Sequence, residues 1–127
     1  MTFTIPLNPV TKKNSGVRTR DGRQLPSKAY QRYEKDAVKL IPGWAKKRIA
    51  YRVNIMATYY LKTDYYAPKC KAVIDITNLH NALCDMLVTA GVLADDNCRI
   101  VYSMDGSTVQ HDKKNPRTEV TITEILS

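Results

Sequence analysis

With 127 residues, 43% of them hydrophobic and 25% charged, the chain has the size and make-up of one small globular domain spanning 1–127. It carries no secretory h-region and no apolar run long enough to span a bilayer, which predicts a cytoplasmic protein without membrane contact. Its cysteines, Cys70, Cys84 and Cys98, form no C-x-x-C pair and its two histidines, His80 and His111, lie far apart, which counts against a zinc site and a disulfide framework.

The formal net charge of +8 is unevenly spread. Residues 1–62 hold fourteen Lys/Arg against three Asp/Glu, and residues 63–127 hold six against nine. From Asp75 to Asp105 there are five carboxylates and one base, Arg99. A basic field around a compact acidic patch suits a protein that grips a polyanion with its bases and a cation with its acids. A soluble surface with acids placed at helix ends would give the same count.

In chain order, FTIPLNP predicts a short strand stopped by Pro6 and Pro9. VTKKNSGVRTRDGRQLPS is a polar, base-rich loop with Gly16 and Gly22 as turn points. From Lys28 to about Ile41 the apolar residues fall at helical spacing, with Ser27 as N-cap and Pro42-Gly43 as the stop. Residues 49–61 alternate, with Ile49, Tyr51, Val53, Ile55, Ala57, Tyr59 and Leu61 on one face of a long strand. AVID is a short strand or an extended entry to a second helix, which Thr77 or Asn78 caps, Leu79, Leu83, Met86, Leu87 and Ala90 anchor, and Gly91 ends. On its other face stand Asn78, Asn81 and Asp85. CRIVYSM and RTEVTITEIL are two closing strands joined by a polar loop through Asp105-Gly106 and Asn115-Pro116. The expected fold is α/β (α+β), a small mixed β-sheet with two main helices.

Asp75 precedes the second helix and the doublet Asp95-Asp96 follows it. A helix of about thirteen residues is about 20 Å long. The three carboxylates therefore share a metal only if the chain after Gly91 turns back along the helix or pairs beside the segment bearing Asp75. Taken singly, an Asp before a helix is explained by capping and the helix dipole, and a doublet by a solvated turn.

The pattern D-x-x-N-L, helix, A-G, apolar pair, D-D, then a strand and R-x-E-x-x-I, resembles the RusA family of Holliday junction resolvases. The likeness is clearest over residues 75–100 and returns at PRTEVTITE, with IPLNPVTKKNS a looser match to the family's opening strand and basic loop. It implies a RusA-like fold and a magnesium-dependent endodeoxyribonuclease of the phage and prophage type. Such an enzyme acts as a homodimer on four-way junctions in recombination and repair. Asp75 then matches the first metal-binding aspartate, Asn78-Leu79 the Asn-Leu that follows, Asp96 the catalytic aspartate with Asp95 beside it, and Asp85 a family aspartate within the helix. Two positions depart: Thr77 stands where the motif has its second aspartate, and Asn81 where it has a lysine. Either the site is weakened, or its shell is rebuilt around Asp85 or Asp95, and we favour the rebuilt shell because the flanking motif residues are intact.

The implied reaction is phosphodiester hydrolysis with Mg²⁺ held by Asp75, Asp95 and Asp96, and with Thr77 and Asn81 completing the catalytic group. The DNA contacts expected are Lys12, Lys13, Asn14, Arg18, Arg20 and Arg23 of the basic loop, with Lys69 and Lys71 ahead of Asp75. Paired cuts in a two-fold symmetric junction call for a dimer. His80, Cys84 and Val88, with Leu87, form a stripe that faces either a partner subunit or the chain's own sheet. Two other readings stand beside this one. One is a DNA-binding protein that keeps the fold without catalysis. The other is a single-strand binder that stacks bases on its eight tyrosines, against which Tyr51 and Tyr59 are expected in the core.

Overall fold

The computed structural model describes residues 1–11, 17, 18, 20, 22, 24, 25 and 27–126. Its elements in order are β1 (Thr2–Ile5), β2 (Val17–Arg18), β3 (Gln24–Leu25), α1 (Lys28–Leu40), a 3₁₀ turn (Gly43–Ala45), β4 (Val53–Leu61), α2 (Ile76–Thr89), β5 (Val101–Ser103), β6 (Thr108–His111) and β7 (Arg117–Glu124). The mixed sheet with two main helices is as expected from the sequence. β7 lies between β1 and β4 and is antiparallel to both. On its far side β4 pairs in parallel with β5 near its start and with β6 near its end. β2 and β3 form a separate two-stranded ribbon.

The edge beside β4 is therefore one strand in two pieces, and β6 lies inside what the sequence presents as a polar loop. Val109 is the only apolar residue of Thr108–His111, so no two-residue hydrophobic period marks it. Backbone pairing with β4 makes the strand instead. Asn54 fastens the turn between the two pieces, donating to the Asp105 carbonyl at 3.1 Å and accepting from the Asp105 amide at 2.8 Å. Ala57 N–H, which falls in the gap between the β5 and β6 pairings, donates to Ser107 Oγ at 3.0 Å. Gly106 is required here, since its φ is +85° and a Cβ would stand 2.9 Å from Met56 Sδ.

β4 is also shorter than its alternating pattern. Ile49 is buried through a single bridge to Leu93, the chain then bends, and regular pairing starts at Val53. Tyr51 consequently leaves the apolar row and is 47% exposed, whereas Tyr59 is buried as expected. No strand forms at 72–75.

α1 starts where Ser27 Oγ accepts the Tyr30 amide proton at 3.1 Å, and buries Tyr30, Tyr33 and Ala37. α2 starts two to three residues before the caps its sequence suggests. The amides of Asn78 and Leu79 both donate to the Asp75 carbonyl, which makes Asp75 the N-cap and places Thr77 and Asn78 within the first turn. It ends in a Schellman motif, with the Val92 amide bonded to Leu87 O, the Gly91 amide to Val88 O, and Gly91 at φ +82°. The core lies between these helices and the face of β4 carrying Val53, Ile55, Ala57, Tyr59 and Leu61. The stripe at His80, Cys84, Val88 and Leu87 turns largely inward: Leu87 and Cys84 are buried, and His80 Nδ1 lies 2.7 Å from the Tyr59 hydroxyl. The chain's own sheet takes that stripe because Leu87 and Cys84 flank the same apolar arc as Leu79, Leu83 and Met86.

Candidate active site

Asp75 is the N-cap of α2 by its backbone alone: its carboxylate makes no capping hydrogen bond, and the residue is exposed. Capping therefore does not account for this side chain, although its position still favours the helix dipole. Ile74 and Ile76 on either side line a half-open cavity of about 380 Å³ together with Leu61, Tyr65 and Tyr66.

The doublet beyond α2 divides its work. Asp95 accepts from the Asp96 amide at 2.8 Å and, through its other oxygen, from the Asn97 side-chain amide at 3.0 Å. These bonds hold its carboxyl below the usual carboxylate range. Asn97 accepts from the Arg99 amide at 2.9 Å and so continues the turn. The bland role of a turn-forming aspartate thus belongs to Asp95. Asp96 is different: although the residue is exposed, desolvation of its carboxyl by the neighbouring chain, then the negative charge of Asp85, push it above the usual range.

Asp85 is the neighbour that the sequence placed on the right face of the helix without placing it beside Asp96. Thr77, Asn81 and Asp85 follow one another at four-residue spacing along the outward side of α2, the first two exposed and the third half-buried. Cys84, one residue before Asp85, is buried, and burial followed by the charges of Asp96 and Asp85 pushes its thiol up to about 12. A thiol held neutral in this way is no nucleophile. Burial likewise lowers the His80 pKa.

Among the described residues no three of His, Cys, Asp and Glu come close enough to hold a metal ion. The carboxylates that frame α2 in the sequence are not one cluster. Asp75 precedes Asp85 by ten residues, about 15 Å of helix rise, and the carboxylate charges acting on Asp96 are those of Asp85 and Asp95. The set of Asp96 and Asp85, with Asp95 adjacent, fits a hard cation that needs only one or two carboxylates and keeps several waters, as Mg²⁺ does. Their mutual repulsion is what such a cation relieves.

The repulsion sets a pH dependence. In metal-free protein, Asp85→Asn should bring the Asp96 midpoint down towards the ordinary carboxylate range, as read by carboxylate ¹³C NMR titration. A folded-state pKa above the unfolded one means that ionising Asp96 opposes folding. The substitution should therefore raise stability at neutral pH, and that gain should fade as pH falls through the range where Asp96 is protonated. An unmoved midpoint would show that the two carboxylates do not interact.

The family model described as endodeoxyribonuclease RusA matches residues 6–123 of the 127. The chain belongs to the RusA family. Among curated proteins none matches it. Family membership makes it a nuclease by descent and implies action on Holliday junction DNA. The matched span includes the family-like R-x-E near the C-terminus, whose residues serve the fold. Arg117 lies 3.7 Å over the Tyr60 ring and is held by Asp112 at 2.9 Å and Glu119 at 3.2 Å, on the sheet face that the helices leave uncovered. Of the basic residues expected to meet DNA, Lys69 and Lys71 are exposed ahead of Asp75, and Arg20 is exposed. The backbone of Arg18 lies in β2, while Lys12, Lys13, Asn14 and Arg23 fall outside the described residues. No described helix is long and apolar enough to cross a membrane.

Proposed function

We propose that this RusA-family chain is a Mg²⁺-dependent endonuclease that acts as a homodimer on four-way junctions and related branched DNA, cutting two strands in a paired fashion. The observation that carries the reading is that local hydrogen bonding does not account for two carboxylates. The Asp75 carboxylate makes no capping hydrogen bond although the residue stands at the N-cap, and desolvation, then the charge of Asp85, hold the Asp96 carboxyl above its usual range. Groups left unsatisfied by the fold at one end of a helix and crowded at the other are what a ligand-binding role explains.

Asp96 and Asp85 would hold the ion, with Asp95 fixing the turn that presents Asp96, and Asp75 acting at the head of the same helix. When bound, Mg²⁺ supplies polarisation of the scissile phosphoryl group and activation of a water. Thr77 and Asn81 are neutral hydrogen-bonding groups on the outward side of α2, positioned to meet a phosphate between the two acidic ends. Lys69 and Lys71 place positive charge before Asp75 and would neutralise backbone phosphates on entry. A dimer supplies two such sites to a two-fold symmetric junction.

A non-catalytic junction binder is the second reading, favoured by the absence of a three-ligand metal group among the described residues. Incubation of a synthetic four-way junction with the protein and Mg²⁺ separates the two. Symmetric nicks are expected, and tight binding without nicks would support the binder instead.

A double substitution asks whether the shell is rebuilt. Thr77→Asp with Asn81→Lys restores the residue types of the family motif. Here, however, a lysine at position 81 sits one turn from Asp85 and would pair with it, withdrawing it from Asp96. Cleavage should fall and the Mg²⁺ concentration needed should rise. A gain of activity in a metal titration would mean that the natural site is a weakened one.

A further inference from the structure

The helix that packs against α2 carries a charge pattern that the active-site reading leaves unused. On α1, Lys28, Arg32, Lys35 and Lys39 are spaced by four, three and four residues, which places them within about 60° of one another around the helix axis. All four are exposed, and they stand opposite the buried Tyr30, Tyr33 and Ala37. No ion pair to any of them is found among the described residues, and the acidic residues beside them on α1 are Asp36 and Glu34. Further along the sequence Lys46, Lys47 and Arg48 are also exposed, so residues 28–48 hold seven bases against two acids. An ordinary solvated helix face intersperses both signs, since like charges at this spacing destabilise the helix they share.

The row also borders α2. Lys35 and Lys39 line a groove of about 470 Å³ between α1 and α2 with Glu34, Val38 and Thr89. Thr89, on α2, donates its hydroxyl proton to the backbone carbonyl of Asp85 at 3.0 Å. A polyanion lying along the row therefore runs beside the helix that bears Asp85.

We propose that this face of α1 is a phosphate-backbone track on which one duplex arm of the branched DNA lies. This rests on the reading of the protein as a junction endonuclease and names a contact surface beyond it. From Lys28 to Lys39 the row covers eleven residues, about 16 Å of helix, which corresponds to about five phosphates of one strand at 3.4 Å each along the duplex axis. Three of the four cations are lysines, point charges on flexible stems that take phosphate without demanding one geometry. The track thus holds and orients an arm without reading sequence. An acidic protein segment would meet the same charges, but the regular spacing along a straight line favours a rod with evenly repeated phosphates.

The test is a joint substitution of Lys28, Arg32, Lys35 and Lys39 by Gln, with binding to a four-way junction and to an equal-length duplex measured in Ca²⁺ over a salt series. At about 0.9 per phosphate contact, the log–log salt slope should fall by about 3.6, so the wild-type advantage shrinks about 150-fold between roughly 50 and 200 mM salt. Loss on both DNA forms is expected, because an arm is duplex in each. Replacing Lys28, Lys35 and Lys39 by Arg should keep the slope. If the fourfold variant fails to fold, the pairs Lys28/Arg32 and Lys35/Lys39 replaced separately should each lower it by about 1.8. A slope unchanged in variants that still bind overturns the track and leaves the junction reading standing. A wild-type protein that binds neither DNA overturns both.

Discussion

Asp96→Asn is expected to stop cleavage of a four-way junction while leaving the complex intact. The substitution keeps the shape of the side chain and removes the charge that Asp85 crowds. Loss of an outer-shell partner at a metal site already costs about 10–100-fold in metal affinity or activity, so loss of a ligand should exceed about 100-fold. Binding should hold or tighten, because a negative charge near the phosphates has been removed. Asp75→Asn should do the same if its unbonded carboxylate belongs to the catalytic machinery, and nothing at the helix start should unravel, since that carboxylate caps no amide. Single-turnover cleavage and gel-shift titration on the same junction read both quantities. Wild-type cleavage rates in both variants would remove these carboxylates from the reaction. Asp95→Asn is a contrasting case: its oxygens hold the Asp96 and Asn97 groups of the turn, so its loss should blur the presentation of Asp96 and lower activity less steeply.

The second large effect is one of stability. Leu87 is fully buried in the chain's own core, and its carbonyl also receives the Val92 amide that closes α2. Leu87→Ala should cost about 3 kcal/mol, within the range for deleting a buried leucine side chain, and lower Tm by about 10 °C. Equilibrium urea unfolding with an unchanged m-value would report this cost. The loss should be independent of protein concentration, because Leu87 packs within one chain. A concentration-dependent loss would return the stripe at His80, Cys84 and Leu87 to a subunit interface. The Tyr59 hydroxyl against His80 and the buried Cys84 beside it argue for the intrachain packing.

Much of this protein is determined locally and is legible in the amino-acid sequence by itself. Ser27 has a side chain that accepts a first-turn amide, Pro42 cannot continue a helix, and Gly91 can take a positive φ without strain, so both helices have legible ends. The alternation in β4 and the apolar arc of α2 settle which faces are buried, because periods of two and of 3.6 residues each select one side of their element. The motif D-x-x-N-L with the later doublet marks the family for the same reason: it is contiguous. Tertiary structure decided what depends on pairing between distant segments. β6 exists because Thr108–His111 finds the free edge of β4, and Tyr51 is exposed because the chain bends ahead of Val53, neither of which hydrophobic period encodes. The active-site carboxylates follow that rule most clearly. Sequence places Asp75, Asp85, Asp95 and Asp96 on or beside one helix, but a helix fixes only neighbours three and four residues apart. Which of them meet depends on where the turn after Gly91 returns. Of the carboxylates on or before this helix, Asp85 is the one whose charge acts on Asp96. The acidic pairing was therefore the work of the tertiary fold.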